Sequence, residues 1–225
     1  RYRLKSSKRV VDEIEHIYKT GYPRMVTFCD NNFNVPNNHA LAVCQEIINR
    51  QLDITWGTGT IKPLNVTGDA CRLYKESGCG YLGLSVESAS TRMLKRMQRG
   101  CTVDDIRQSL ISLVNSGIPF GASLMFGAPG ETPETISETL SLMDEYHVPD
   151  GVWVTFGICL WTDRQQVLAD ARADGQLDND DQLFSGANYV SPQLPKTYME
   201  ELVESLRAKD GYTVQVNKLY DDSNG

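Results

Sequence analysis

What this 225-residue sequence lacks narrows its function before anything present in it does. No stretch of about 18 apolar residues occurs, so no segment reads as a membrane-spanning helix. The six cysteines (Cys29, Cys44, Cys71, Cys79, Cys101, Cys159) include no CxxC or CxxxCxxC spacing, and no metal site is encoded locally. GxSxG, HExxH, GxxxxGK and GxGxxG are all absent. Histidine is scarce: His16, His39 and His147 fall on predicted helices or helix ends, which leaves a histidine acid–base site without support. Positive charge is in deficit, 22 basic against 29 acidic residues, and the net charge of −7 argues against a broad nucleic-acid-binding face. Arg1, Arg3, Lys5, Lys8 and Arg9 are a local exception that reads as a solvated segment or linker. With no signal peptide and scattered free thiols, a cytoplasmic location is expected.

What is present is an ordinary globular balance, 40% hydrophobic and 23% charged, long enough for one large α/β domain. Helical spacing runs over residues 7–20, from Pro36, over 67–77, 91–98 and 102–117, from Pro133, and over 195–209. Strand patterns occupy 25–29, 54–56, the stretch from Gly80, 120–126 and 152–158. Strand and helix alternate every 30 or so residues, the βαβ rhythm of a parallel sheet. Residues 1–160 form the core on this reading. Beyond Trp161 the rhythm fails, and 161–225 reads as a helical and irregular extension of the same domain with a peripheral helix and a frayed tail.

Three strands are lopsided. In "GYLGLSVESAS" (80–90), Leu82, Leu84 and Val86 share one face, while Gly83, Ser85 and Glu87 form the other. Phe120, Ala122, Leu124 and Phe126 alternate with Gly121, Ser123, Met125 and Gly127; Val152, Val154 and Phe156 alternate with Trp153, Thr155 and Gly157. The small row admits two explanations. One is close strand packing or a small sealed barrel. The other is a wide, partial barrel whose interior holds a ligand, with Glu87 at the C-terminal strand edge accepting ribose hydroxyls.

Two loops follow strands. "FGAPGET" (126–132) opens a helix, with glycines that let backbone approach a ligand and with Thr132 and Pro133 as cap and first helical residue. "FCDNNFN" (28–34) offers Asp30, Asn31 and Asn32 to an amine or ammonium.

In order, "RYRLKSSKRVVDEI", "VTFCDNNFN", "KESGCGYLGLSVESAS", "MLKRMQRG" and "LMFGAPGETPETISETL" resemble the radical S-adenosylmethionine enzymes, and most closely the branch in which a cobalamin-binding domain precedes the radical domain. The resemblance covers residues 1–158, with a similar tail at "DDQLF" and "YVSPQL". It implies a partial (β/α)6 TIM-like barrel holding a [4Fe-4S] cluster and S-adenosylmethionine, which is cleaved to a 5′-deoxyadenosyl radical. It implies that Glu87, with Ser88 and Ser90, handles the ribose; that Asp30, Asn31 and Asn32 hold the methionine ammonium; and that Gly127 and Ile158 border the adenine.

This sequence departs from the family pattern in four places. The cluster motif is absent, so the chain is expected to be a piece lacking the first strand and cluster loop, with the ligands upstream of Arg1 and no activity of its own. Where relatives carry Thr-Arg for the methionine carboxylate, "GTGTIKP" offers Thr60 and Lys62, a point charge instead of a bidentate fork. Ala89 replaces the glycine after the ribose-binding pair. "LWTDR" replaces the family's Tyr-Pro-Gly-Thr-Pro, so substrate contacts there do not carry over. Expected partners are an unidentified substrate, the upstream cluster loop, a cobalamin-binding domain and an electron donor, without membrane or clear nucleic-acid contact. The alternatives are a methylthiotransferase-like radical enzyme, disfavoured by the acidic tail, and a degenerate barrel that binds a nucleoside or partner without catalysis.

Overall fold

Several helices begin where the sequence supplies a cap. A computed structural model describes residues 4–21, 25–146, 148, 150–160, 165–184 and 187–217. Ser6 Oγ accepts the Arg9 N–H at 3.2 Å and opens α1 (Ser7–Lys19). After β1 (Met25–Phe28), α2 (Asn37–Asn49) and β2 (Thr55–Ile61), Thr67 Oγ1 accepts the Ala70 N–H at 3.2 Å and opens α3 (Gly68–Glu76). Then come β3 (Cys79–Glu87), α4 (Thr91–Arg96), α5 (Val103–Ser116) and β4 (Phe120–Phe126). Thr132 and Pro133 start α6 (Pro133–Glu145) as the sequence predicts, and the Thr132 N–H donates to Thr135 Oγ1 at 3.0 Å. The rest is β5 (Val152–Phe156), β6 (Ile158–Cys159), α7 (Gln165–Ala173), α8 (Asp181–Phe184), β7 (Asn188–Tyr189), α9 (Lys196–Arg207) and β8 (Tyr212–Val216).

The architecture is α/β, with one parallel sheet of six strands in the order β1-β2-β3-β4-β5-β8. Two departures from the sequence reading stand out. The sixth strand is β8, from the stretch left without a strand; Tyr212, Val214 and Val216 alternate with Thr213 and Gln215, and the strand pairs in parallel with β5 from Val152↔Tyr212 to Phe156↔Val216. The stretch 152–158 is not one strand. Gly157, at φ 86°, turns the chain out of the sheet, and β6 pairs antiparallel with β7 instead.

The chain forms two compact units. The first comprises Arg1–Ser85, Asp104–Ala122 and Val148–Asp150; the second comprises Val86–Val103, Ser123–His147 and Gly151–Gly225. In the first, Trp56 packs at a tilt on Phe33 (5.0 Å) and edge-to-face on Tyr74 (5.8 Å), and its Nε1 donates to Ser77 Oγ at 3.1 Å. Arg50 joins α2 to α1 through Asp12 at 2.7 Å and Glu15 at 2.9 Å. Part of the small-residue row serves close packing here: a Cβ at Gly83 would collide with the Gly59 carbonyl oxygen, at the irregular stretch of the β2–β3 register.

In the second unit, Met93, Ala128, Ile158, Leu168, Ala171 and Tyr189 share one buried cluster. The acidic segment after residue 161 is therefore not peripheral throughout, because α7 buries Leu168 and Ala171 in that cluster. Alternating apolar rows pack as expected, Leu82, Leu84, Phe120 and Ala122 being fully buried in the first unit and Val86 and Phe126 in the second.

Candidate functional site

The hydrophobic face of β3 drives that strand into the core, and its last residue is Glu87. Glu87 has φ 63°, a left-handed conformation that costs a residue with a Cβ about 1–3 kcal/mol and persists only where neighbours enforce it. They do so here. The Ser88 N–H donates to Val86 O at 2.8 Å, closing a tight turn. The Ala89 N–H donates to Thr139 Oγ1 at 2.9 Å, Ser88 Oγ lies 3.2 Å from that same hydroxyl, and the Ser90 N–H donates to Ser88 Oγ at 3.2 Å. Ser88, Ser90 and Thr139 are all buried, and the Ser88 hydroxyl is engaged within the chain. Glu87 Oε1 stands 3.8 Å from Arg99 Nη2, with the two side chains 18% and 21% exposed. That leaves a carboxylate–guanidinium pair screened from bulk water but still reachable.

The "GAPGE" turn is tied from inside and outside. Glu131 is completely buried, and its Oε2 accepts the N–H groups of Gly127 (2.5 Å) and Ala128 (3.2 Å). Burial pushes its carboxyl up to about 7, against the opposing pull of those two amides and of Arg92. Ser191 holds the outer side, its N–H on Gly127 O and its hydroxyl on Glu131 O, both at 2.9 Å. Arg92 Nη2 donates to Gly130 O at 2.7 Å, and Arg96 lays its Cδ and Nε over Gly130. Gly127 has φ 102°, a conformation that side chains rarely adopt, and a Cβ there would sit tightly, 3.3 Å from Gly157 N. Both backbone polar groups of Gly127 are used inside the chain.

Beside this turn, within the second unit, is a cavity of about 470 Å³, within the usual size range of small-molecule sites. Met125, Ala128 and Ile158 supply apolar wall, Arg99 lines it near Glu87, and the Arg96–Asp170 ion pair at 3.3 Å lies on the α7 side. Ile158 and the residue after Gly127 thus line one cavity; Gly127 and Glu87 do not line it, and Glu87 is linked to it through Arg99.

In the first unit, Asp30 and Asn31 are exposed and Asn32 is half-buried on the loop after β1. That loop docks on the end of β2: the Phe33 N–H donates to Thr60 O at 3.0 Å, and the Asn34 side chain accepts the Lys62 N–H and donates to Lys62 O, both at 2.8 Å. The residues that bond to Thr60 and Lys62 are thus Phe33 and Asn34, which follow Asp30, Asn31 and Asn32 on the same loop. Of the histidines, His16 is exposed and His39 half-buried, and His147 lies outside the described residues.

The sequence patterns assign no role to Arg99, Thr139 or Glu131, although all three lie within stretches that carry the family resemblance. Thr139, like Thr135, places a hydroxyl in the buried stripe with Ile136, Leu142 and Met143. Nothing in the local pattern of "MLKRMQRG" marks Arg99 as the partner of Glu87, twelve residues before it.

The comparisons with known proteins agree with one another. The model of the Radical SAM superfamily matches residues 1–143. An anaerobic magnesium-protoporphyrin IX monomethyl ester cyclase of Rubrivivax gelatinosus is 25% identical over 171 residues, covering 75% of this chain and 31% of that protein. A tRNA-2-methylthio-N(6)-dimethylallyladenosine synthase of Prosthecochloris aestuarii is 28% identical over 154 residues, covering 64% of this chain and 35% of that protein. The chain thus spans about a third of the length of these curated relatives. Among solved structures, the radical S-adenosylmethionine methyltransferase TsrM of Kitasatospora setae, with cobalamin and a [4Fe-4S] cluster bound, superposes with a TM-score of 0.80 at 18% identity, over 98% of this chain and 50% of that one.

Proposed function

This chain belongs to the radical SAM superfamily, and from that premise we propose that it is the S-adenosylmethionine-binding core of an enzyme that cleaves that molecule reductively. The observation that carries the reading is Glu87, a screened carboxylate held in a left-handed conformation at a strand end, 3.8 Å from Arg99, which itself lines a mixed polar and apolar cavity. Strain of this kind is retained where a side chain has to be presented in one direction.

Glu87 would accept the ribose hydroxyls, while Ser88 and Ser90 hold the turn behind it. Ala128 and Ile158 would flank the adenine. Asp30, Asn31 and Asn32 would hold the methionine ammonium, and Thr60 and Lys62 its carboxylate. The bound molecule supplies a sulfonium open to one-electron cleavage; the residues of this chain bind and orient it.

The same residues do not fit a [4Fe-4S] cluster. Among the described residues no three Cys, His, Asp or Glu side chains come together as metal ligands. Cys44, Cys71 and Cys79 are buried thiols whose pKa values burial raises to about 12, 11 and 12. We therefore assign the cluster ligands, the contact with an electron donor and any cobalamin site to protein outside this chain. Between the chemistries named for the relatives, we favour modification of a small molecule over tRNA, because a net charge of −7 opposes a polyanion.

The test is calorimetric titration of the chain with S-adenosylhomocysteine. Glu87→Ala should weaken binding about 10- to 100-fold, the loss of one charge-assisted hydrogen bond. Unchanged affinity would show that the ribose is held elsewhere. A second reading, a barrel that binds a nucleoside without catalysis, is favoured by the missing ligand set. It would gain the lead if the parent reading frame held no CxxxCxxC.

A further inference from the structure

We infer that Thr139, on α6, is the positioning residue for Glu87. The inference rests on the ribose reading above and goes beyond it, since Thr139 is wholly buried and is not among the residues lining the cavity.

A threonine hydroxyl has one proton and two lone pairs. Thr139 Oγ1 donates that proton to Thr135 O at 3.0 Å, one turn back along the helix. Its lone pairs are then left for the Ala89 N–H at 2.9 Å and for Ser88 Oγ at 3.2 Å. Ser88 must be the donor in the last contact, and its own oxygen is left to accept the Ser90 N–H at 3.2 Å. The bonds therefore run in one direction, from Ser90 through Ser88 and Thr139 into the helix.

Every group in this chain of bonds is buried, so none can turn to water instead. The two residues that follow Glu87 are the ones fastened to Thr139. A left-handed residue relaxes unless the peptides beyond it are held, and one hydroxyl supplies both attachments. α6 is itself anchored by Thr132 and Pro133, so the attachment point does not drift. A valine at 139 would keep the shape and leave the Ala89 N–H and the Ser88 hydroxyl without a partner in an apolar surround.

The experiment is a double-mutant cycle on the 225-residue chain, with S-adenosylhomocysteine as the probe and a thermal melt recorded for every variant. Thr139→Val should weaken binding on the order of tenfold, a coupling of ordinary size for groups in one hydrogen-bond network. Thr139→Ser, which keeps the hydroxyl, should bind like the wild type. In a Glu87→Ala background Thr139→Val should cost nothing further, because the residue it positions is gone. If Thr139→Val does not fold, Thr139→Ala carries the same comparison.

A Thr139→Val protein with a lowered melting temperature but wild-type affinity would overturn the proposal, provided Glu87→Ala still binds weakly; Thr139 would then be a stability residue alone. Full additivity of the two losses would overturn it as well. If Glu87→Ala itself binds like the wild type, the ribose reading fails first, and the positioning role fails with it.

Discussion

Glu131 reaches back four residues to accept the Gly127 N–H at 2.5 Å, so the carboxylate fills the turn that its own motif makes. Its other oxygen, Oε1, is buried and has no hydrogen-bond partner among the described residues. A half-satisfied carboxylate in an apolar surround is easier to bury neutral than charged.

The consequence is a pH dependence of stability with a definite sign. The Glu131 pKa is raised from 4.5 to about 7 in the folded chain, so between those values the native state holds a proton that the unfolded chain releases. Stability should therefore fall as pH rises from 4.5 to about 7, by roughly 3 kcal/mol in total, and level off above that. Glu131→Gln keeps an acceptor for the two amides and carries no charge. Thermal melts across this range should show that variant losing the slope and at least matching the wild type at pH 8. A wild-type curve flat over the same range would contradict the buried, proton-holding carboxyl.

Gly83→Ala should destabilise the chain by about 1–3 kcal/mol, the usual penalty for overpacking, because the new Cβ meets the backbone oxygen of Gly59. The matched control is Gly59→Ala, whose Cβ would have nothing within 4 Å. Denaturant titrations that rank the two variants equally would mean that the β2–β3 approach is looser than described.

Lys62→Ala should weaken S-adenosylhomocysteine binding about two- to fivefold, the worth of one exposed ionic contact, and leave adenosine binding unchanged. Parallel titrations with the two ligands check this. An equal loss for both would assign Lys62 to the nucleoside end, or to the fold of the Asn34 corner with which its backbone bonds.

Anaerobic reconstitution of this chain with iron and sulfide should give no cluster that survives desalting, since its cysteines are dispersed free thiols with Cys44, Cys71 and Cys79 buried. Iron retained in stoichiometric amount, with a [4Fe-4S] spectrum, would overturn the assignment of the cluster ligands to protein outside this chain.

Much of this molecule is legible in its sequence. The alternation of Phe120 to Phe126 is the strand that forms, and Thr132–Pro133 is the helix start that forms, because both are local patterns with a single good burial or capping solution. The end of the sheet was harder to read. Tyr212 to Val216 alternates as clearly as other strands, but a five-residue run becomes a strand only if a partner edge is free, and here that edge is β5. Likewise, Gly157 could have continued a strand or ended it; its left-handed turn and the β6–β7 pairing ended it.

At the candidate site the division is sharper. The amino-acid sequence by itself determined that Glu87 ends a strand with one apolar face, that the 127–131 stretch turns before a helix, and that no cluster motif is present. Only the tertiary structure decided that Ser88 bonds to Thr139 fifty-one residues away, that Arg99 meets Glu87, and that Glu131 turns inward to a pKa near 7. Apolar burial is non-directional, so a periodic pattern is enough to encode it. Hydrogen bonds and pKa shifts depend on distances of a few ångströms between groups far apart in sequence, and those distances exist only once the elements have packed.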